Sequence, residues 1–470
     1  MNEPVTAAAQ QRPTLHRAIG PKLLLFFVVG DILGAGVYAL SGKVAGKVGG
    51  ALWLPFLIAF VVALLSAFSY LELVGKYQRA AGAALYTHKA FKLPFLTFMV
   101  AFAVMASGLA SAGASAVSFG GKYLQQIATV PGVVASIAFL AVIAAVNYRG
   151  VGESVKINVV LTCVELSGLL IVIVAGAWAV LNGQGEPARL VEFHTSADTG
   201  AWLAVTSATS LAFFAMVGFE DSVNMVEECK DPVRSFPRAL LVGMSVTGLI
   251  YVLVAIVSSL LLPYQELAKS TAPLLEVVRM AVPSFPLWFF SLIALFAVAN
   301  SSLINMLMAS RLVYGMASER IIPKVFATVH PKRRTPWVAI LFTSSVALVL
   351  VLTANVEALG STTALLLLCV FTLVNVAVLM LRRDKVDHAH FRTPTVLPVV
   401  GALASLYLAS PLAGRSLEEY RIAGILLLSG LVLWGVNWFF VRRVDFDPEK
   451  INNQPDAVDP APERTEAGSR

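Results

Sequence analysis

The chain reads as an all-α polytopic membrane protein with twelve transmembrane helices, and three observations lead there. Of its 470 residues, 57% are hydrophobic and 13% charged, at a mean hydropathy of +0.78, too apolar for a soluble domain of this length. The apolar residues gather into segments of about 18 to 29 residues, long enough at ~1.5 Å rise per residue to cross a hydrocarbon core of about 30 Å. The charges fall between those segments with a bias to one side. With the amino terminus inside, 27 of the 35 Lys and Arg lie on the inner side, which places both termini in the cytoplasm and the chain in the cytoplasmic membrane.

The same facts exclude other classes. The net charge of +7 resides in loops, so topology explains it and no nucleic-acid partner is expected. Cys163, Cys229 and Cys369 lack disulfide or metal-ligand spacing, and the six histidines fall outside the apolar segments. Neither a metal, a cofactor nor a histidine proton relay is therefore expected. No nucleophile–base constellation marks an enzyme. Residues 1–20 have no apolar core or small-residue cleavage site, so the first apolar segment is expected to be a retained span after a cytoplasmic amino-terminal stretch.

The twelve spans are expected near residues 21–42, 51–75, 94–120, 131–148, 154–182, 201–228, 238–262, 285–313, 336–354, 358–381, 395–413 and 422–441. The first carries Gly34, Ala35 and Gly36 at its centre. Glycines at that depth weaken a helix, and loosened backbone is tolerated in a membrane only where it faces protein or a cavity. Close packing of helices is the alternative use of the same residues. Span two ends in Tyr70-Leu-Glu-Leu, where Glu72 reads as a solvated terminus because acids are cheaper near the interface than at the midplane. Ser107, Ser111 and Ser115 in span three recur every four residues and read as a packing stripe.

Span five places Asn158, Thr162 and Glu165 on one face. Glu165 lies about half-way through, where an acid costs on the order of 2.5 to 3.5 kcal/mol on insertion scales, and no midplane Lys or Arg stands ready to neutralise it. Span six has a second interruption, Phe213-Phe-Ala-Met-Val-Gly-Phe-Glu-Asp221, followed by a loop in which Pro232 and Pro237 are expected to stop the helix. Span eight contributes Asn300, Ser301, Ser302 and Asn305, polar groups that need partners in a dry environment. Residues 444–470 are polar, acidic and Pro-rich, as in a disordered cytoplasmic tail.

The breaks lie five spans apart. If residues 21–182 and 201–381 are inverted repeats, the breaks occupy corresponding positions, the usual sequence pointer to a midplane transport site. Residues 395–441, spans eleven and twelve, then lie outside the repeats. Each broken helix offers free N–H groups on one half and free carbonyls on the other, which suits a carboxylate and an ammonium, hence an α-amino acid.

These motifs resemble the amino acid–polyamine–organocation family of secondary transporters, which has the LeuT five-plus-five inverted-repeat fold. Gly34-Ala35-Gly36 is similar to its first-helix Gly-x-Gly break. Tyr70-Leu-Glu-Leu with Tyr77 to Gly82 resembles its Tyr-Ala-Glu-Leu…Tyr-Pro-x-Ala-Gly-Gly segment, although Gln78 and Ala81 depart from the usual proline and glycine. Phe214 to Glu220 and Glu227 to Pro237 resemble its sixth-helix pattern and subsequent loop. The resemblance implies that the amides of Gly34, Ala35 and Gly36 hold a substrate carboxylate. It also implies that carbonyls of Ile32, Phe214 and Val217, within the stretch that includes Ala215 and Gly218, hold the amino group. Phe214 falls at an aromatic gate and Glu220 at an acidic position linked to coupling.

Glu165 aligns with a position that is lysine in several proton-coupled bacterial members. Carbonyls cannot receive a hydrogen bond from an ionised carboxylate, so that lysine mechanism does not transfer unchanged. Glu165 is expected to be the proton carrier itself, with Asp31, one residue before Ile32, as a nearby carboxyl. The rival is an oxygen-lined sodium site of Glu165, Asp31, Ser301 and Ser302. The expected function is amino acid transport by alternating access, coupled to protons. An amino acid or polyamine exchanger, a sodium symporter and a non-transporting membrane sensor are the alternatives. The sequence specifies neither the amino acid nor an oligomeric state.

Overall fold

A computed structural model of the chain describes residues 19–78, 82–149, 154–194, 200–318, 321–331, 333 and 335–440. The described residues are helical, with two isolated bridges, Ile19 to Cys229 and Gly49 to Phe193, and no strand. The helices are α1 (Pro21–Leu33), α2 (Ala35–Val48), α3 (Trp53–Lys76), α4 (Gly82–Phe91), α5 (Pro94–Phe119), α6 (Lys122–Gln125), α7 (Gly132–Arg149), α8 (Ser154–Ala179) and α9 (Ala201–Ala212). After them come α10 (Pro232–Leu261), α11 (Tyr264–Lys269), α12 (Pro273–Ala281), α13 (Leu287–Ser318), α14 (Trp337–Thr353), α15 (Val356–Leu381), α16 (Val396–Ala409) and α17 (Leu417–Phe440).

Ten stretches among the described residues are long and apolar enough to cross a membrane, and α14 and α16 are shorter apolar helices of 17 and 14 residues. This is a multi-pass membrane protein. The amino-terminal stretch up to Ala18 and the tail 444–470 lie outside the described residues.

Burial sorts the helices by their neighbours. In the first pair α1 packs against α8 and α10 and α2 against α9 and α11, while α5 packs against both α13 and α15. The outer helices carry exposed apolar side chains instead: Val133 and Val142 on α7 are 60% and 59% exposed, and Ile425 on α17 is 65% exposed. Apolar surface on that scale is at home in lipid, which is as apolar as the side chains that meet it.

Two expectations are corrected. Pro237 does not stop a helix, because α10 begins earlier, at Pro232, and runs through it. Asp231 caps the end by accepting from the Arg234 N–H at 3.4 Å, and a proline near a helix start forfeits little because the first N–H groups have no intrahelical partner. Glu72 is not a solvated terminus. It is 2% exposed and takes a two-pronged pairing from Arg382 at 2.9 and 2.8 Å plus the Thr393 N–H at 2.8 Å. The connection between α10 and α13, for which the sequence carries no expectation, holds the short helices α11 and α12.

Candidate functional site

The first long apolar stretch is two helices. α1 ends at Leu33, α2 begins at Ala35, and Gly34 joins them with φ 0° and ψ −164°. The last carbonyls of α1 and the first amides of α2 therefore lack partners inside their helices. Tyr251 on α10 reaches into this gap, its hydroxyl 2.7 Å from the carbonyl oxygens of both Ile32 and Leu33. A carbonyl oxygen has two lone pairs, so Ile32 keeps capacity for a second donor.

The second break is longer. α9 stops at Ala212, a 3₁₀ turn covers Phe213–Met216, Val217 is extended, and a second 3₁₀ stretch runs over Asp221–Glu228. Gly218 sits at φ +125°, a region that side-chain-bearing residues rarely adopt. The Glu220 carboxylate turns back and accepts from the Gly218 N–H at 2.9 Å. It thereby satisfies an amide that the interrupted helix has released.

The two breaks meet backbone to backbone. A Cβ built on Gly36 would fall 2.6 Å from Ala215 Cα, and one on Gly218 would fall 2.6 Å from the Asp31 carbonyl oxygen. Both glycines are needed for close approach of chain to chain: at Gly36 the lack of a Cβ admits the Ala215 backbone.

A cavity opens beside this contact. Asp31, Ile32, Gly34 and Gly36 line it from the first break, and Phe214, Val217, Gly218, Glu220 and Asp221 from the second. Ser107 and Ser111 on α5, Ser301 and Asn305 on α13 and Thr363 on α15 complete its polar wall. Met105, Met308 and Leu312 are among its apolar lining. The interior is tight, with about 40 Å³ open to the centres of water-sized molecules. Among the described residues the lining holds three carboxyl side chains and no Lys, Arg or His.

Most residues singled out from the sequence come together here, but among the described side chains Ala215, Ser302 and Glu165 do not line the cavity. Ala215 is spent on the contact with Gly36; Ala35 opens α2, and its side chain lies outside what is described. Ser302 is fully buried beside the lining residue Ser301, its hydroxyl without a hydrogen-bond partner. Glu165 is fully buried on α8, accepts from the Asn300 side chain at 3.3 Å through Oε1, and leaves Oε2 without a partner. Its backbone carbonyl accepts from the Tyr38 hydroxyl at 3.0 Å, which ties α8 to α2. Asp31, whose Oδ2 also has no partner, is in electrostatic range of Asp221, Glu220 and Glu165. The side chain of Asn158 lies outside what is described.

Several members of the site escape sequence reasoning. Ser107 and Ser111 read as packing and Thr363 goes unremarked, because a hydroxyl in an apolar helix carries no signal of what it faces. Asp221 is visible as an acid inside an apolar window, a signal sufficient to include it. Tyr251 gives no local sign of its partner 219 residues away.

Comparison with known proteins agrees with this architecture. The amino acid permease family pattern matches residues 19–418. An uncharacterized transporter of Mycobacterium tuberculosis is 28% identical over 91% of this chain and 93% of its own length. A branched-chain amino acid permease of Bacillus subtilis is 24% identical over 85% and 88%. A mouse protein named cationic amino acid transporter 4 is 27% identical over 79% of this chain and 61% of its own. With the match covering most of the chain, this protein belongs to the amino acid permease family.

Proposed function

We propose that this protein carries amino acids across the cytoplasmic membrane by alternating access, as a proton-coupled symporter. On this reading it has twelve spans, two inverted five-helix repeats at residues 21–182 and 201–381, and both termini in the cytoplasm. The observation that carries the reading is the meeting of two helix breaks at one enclosed cavity. The amides of Gly34, Ala35 and Gly36 at the start of α2 receive the substrate carboxylate. The carbonyls of Ile32, Phe214 and Val217 receive its ammonium, and Phe214, a buried ring on the lining, closes over it.

Glu165 carries the coupling proton. Neutral, its carboxyl is a hydrogen-bond donor; ionised, it only accepts. Each change alters what α8 offers to the broken first helix, and Asp31 and Glu220 are the neighbouring carboxyls through which the cavity senses that change. Ser301 and Ser302 would serve a sodium ion if sodium, not the proton, is coupled.

One observation favours a narrower substrate class. Among the described residues three carboxyls line the cavity and no cationic side chain does, which favours a substrate carrying a second positive charge. A relative is named as a cationic amino acid transporter, although another is named for branched-chain amino acids.

Flux of labelled amino acids into vesicles holding the purified protein tests the function. Net uptake into empty vesicles supports a symporter. Uptake only with counter-substrate inside makes the protein an exchanger, and saturable binding with no flux in either direction makes it a sensor. Lysine and ornithine should compete for that flux more strongly than leucine; the reverse order removes the cationic reading.

A further inference from the structure

A second pocket lies away from the substrate cavity, at one end of the helix bundle. It is lined by Tyr77, His88, Lys89, Lys92, Asp384, Lys385 and Val386, with a volume of about 500 Å³, within the ~300–1,000 Å³ range of small-molecule sites. Its walls come from the residue after α3, from α4 and its exit, and from the segment after α15. Among the described lining residues are three lysines and one carboxylate. That carboxylate, Asp384, accepts from the Tyr77 hydroxyl at 3.2 Å, and Lys89 lies over the Tyr77 ring at 5.2 Å from its centre. Burial, then Asp384, push the Tyr77 hydroxyl up to about 12, so it remains a neutral donor and adds no negative charge.

The setting marks this basin as more than a solvated basic loop. Lys92 closes α4 in the left-handed conformation, φ +54°, and donates its N–H to the His88 carbonyl at 2.8 Å, a common way for a helix end to turn the chain. Beyond it stand Leu93 and Phe95, 56% and 45% exposed. They belong to the entry into α5, a helix long enough to span a membrane. Charged groups thus pass directly into uncovered apolar ones at the end of spans α3, α5 and α15, the arrangement of a membrane–water boundary.

We propose that this pocket holds the phosphate headgroup of an anionic membrane lipid, with the acyl chains lying over Leu93 and Phe95. Lys89, Lys92 and Lys385 receive the phosphate oxygens. A free phosphate would make equal use of the lysines but none of the apolar shelf, which is why the lipid is the occupant. Bound there, the lipid joins α4 to the segment following α15 and steadies that end of the bundle.

The test titrates the purified full-length protein with phosphatidylglycerol, with phosphatidylcholine and with soluble glycerol 3-phosphate, reading bound lipid by native mass spectrometry. Phosphatidylglycerol should bind in preference to phosphatidylcholine, and each of Lys89→Gln, Lys92→Gln and Lys385→Gln should weaken it about fivefold. Lys324→Gln, an exposed lysine outside the pocket, should leave the affinity unchanged. Lys92 and Lys385 are exposed, so their variants report binding without endangering the fold. Wild-type affinity in those two variants overturns the proposal, as does an equal loss in Lys324→Gln. Glycerol 3-phosphate binding as tightly as the lipid overturns the lipid as occupant.

Discussion

Gly36 and Gly218 are where one methyl group decides the outcome. A Cβ on Gly36 has backbone 2.6 Å away on Ala215, and backbone cannot step aside as a side-chain tip can. Gly36→Ala should cost ~1–3 kcal/mol through overpacking and abolish uptake, read together as a lowered melting temperature in detergent and lost flux in vesicles. Gly424→Ala on α17 meets nothing within 4 Å and should be neutral or stabilising by up to ~1 kcal/mol, as expected for glycine replaced inside a helix. If both substitutions behave alike, close approach of the two breaks is not what holds the site. Glu165→Gln tests coupling at the same scale. The amide can donate but cannot release a proton, so exchange should persist while uphill accumulation driven by a pH gradient is lost. Retained uphill accumulation with an unchanged pH dependence would remove Glu165 as the proton carrier. Gly34 to Gly36 and Glu165 were legible because glycine and glutamate are conspicuous in an apolar run. Ser107 and Ser111 were not, since a serine stripe serves packing and cavity lining equally well.

At the scale of elements, the end of α3 is fastened to the far end of α15 through Glu72 and Arg382. The guanidinium also donates to the Thr395 hydroxyl and the Thr393 carbonyl. Lys76 adds donations to the carbonyls of Leu381 and Asp384, closing the carboxyl end of α15 in the way basic groups favour helix ends. Arg382→Ala would leave the Glu72 carboxylate buried without its counter-charge, an event that costs ~3–5 kcal/mol. The single variant should therefore melt well below wild type. Replacing both residues by leucine should recover part of the loss, since a buried pair is often no better than apolar packing. A double variant less stable than the Arg382→Ala single would contradict this. The pairing was unreadable because the partners are 310 residues apart and local sequence holds no record of which distant element arrives. α11 and α12 escaped for another reason. Pro263 and Pro273 look like loop punctuation, yet the first precedes α11 and the second opens α12, because proline suits the start of a helix as well as it breaks the middle.

For the whole molecule, hydropathy made the membrane class plain, because burial in lipid writes itself into long runs of apolar residues. The shared cavity could be anticipated only by pairing two breaks five spans apart. Orientation is testable by itself: single cysteines introduced at Lys385 and at Lys269, in an otherwise cysteine-free background, should react with a membrane-impermeant thiol reagent from the inside and outside respectively. Labelling of both from the same side would contradict the proposed topology. The most direct test of the central claim is accumulation of a panel of labelled amino acids in proteoliposomes under an inward proton gradient, with choline replacing sodium. At least one should accumulate above its external concentration, collapse on adding a protonophore, and be lost in Gly36→Ala. If none accumulates or exchanges in either direction while the protein remains folded, the site between the two broken helices is not a transport site.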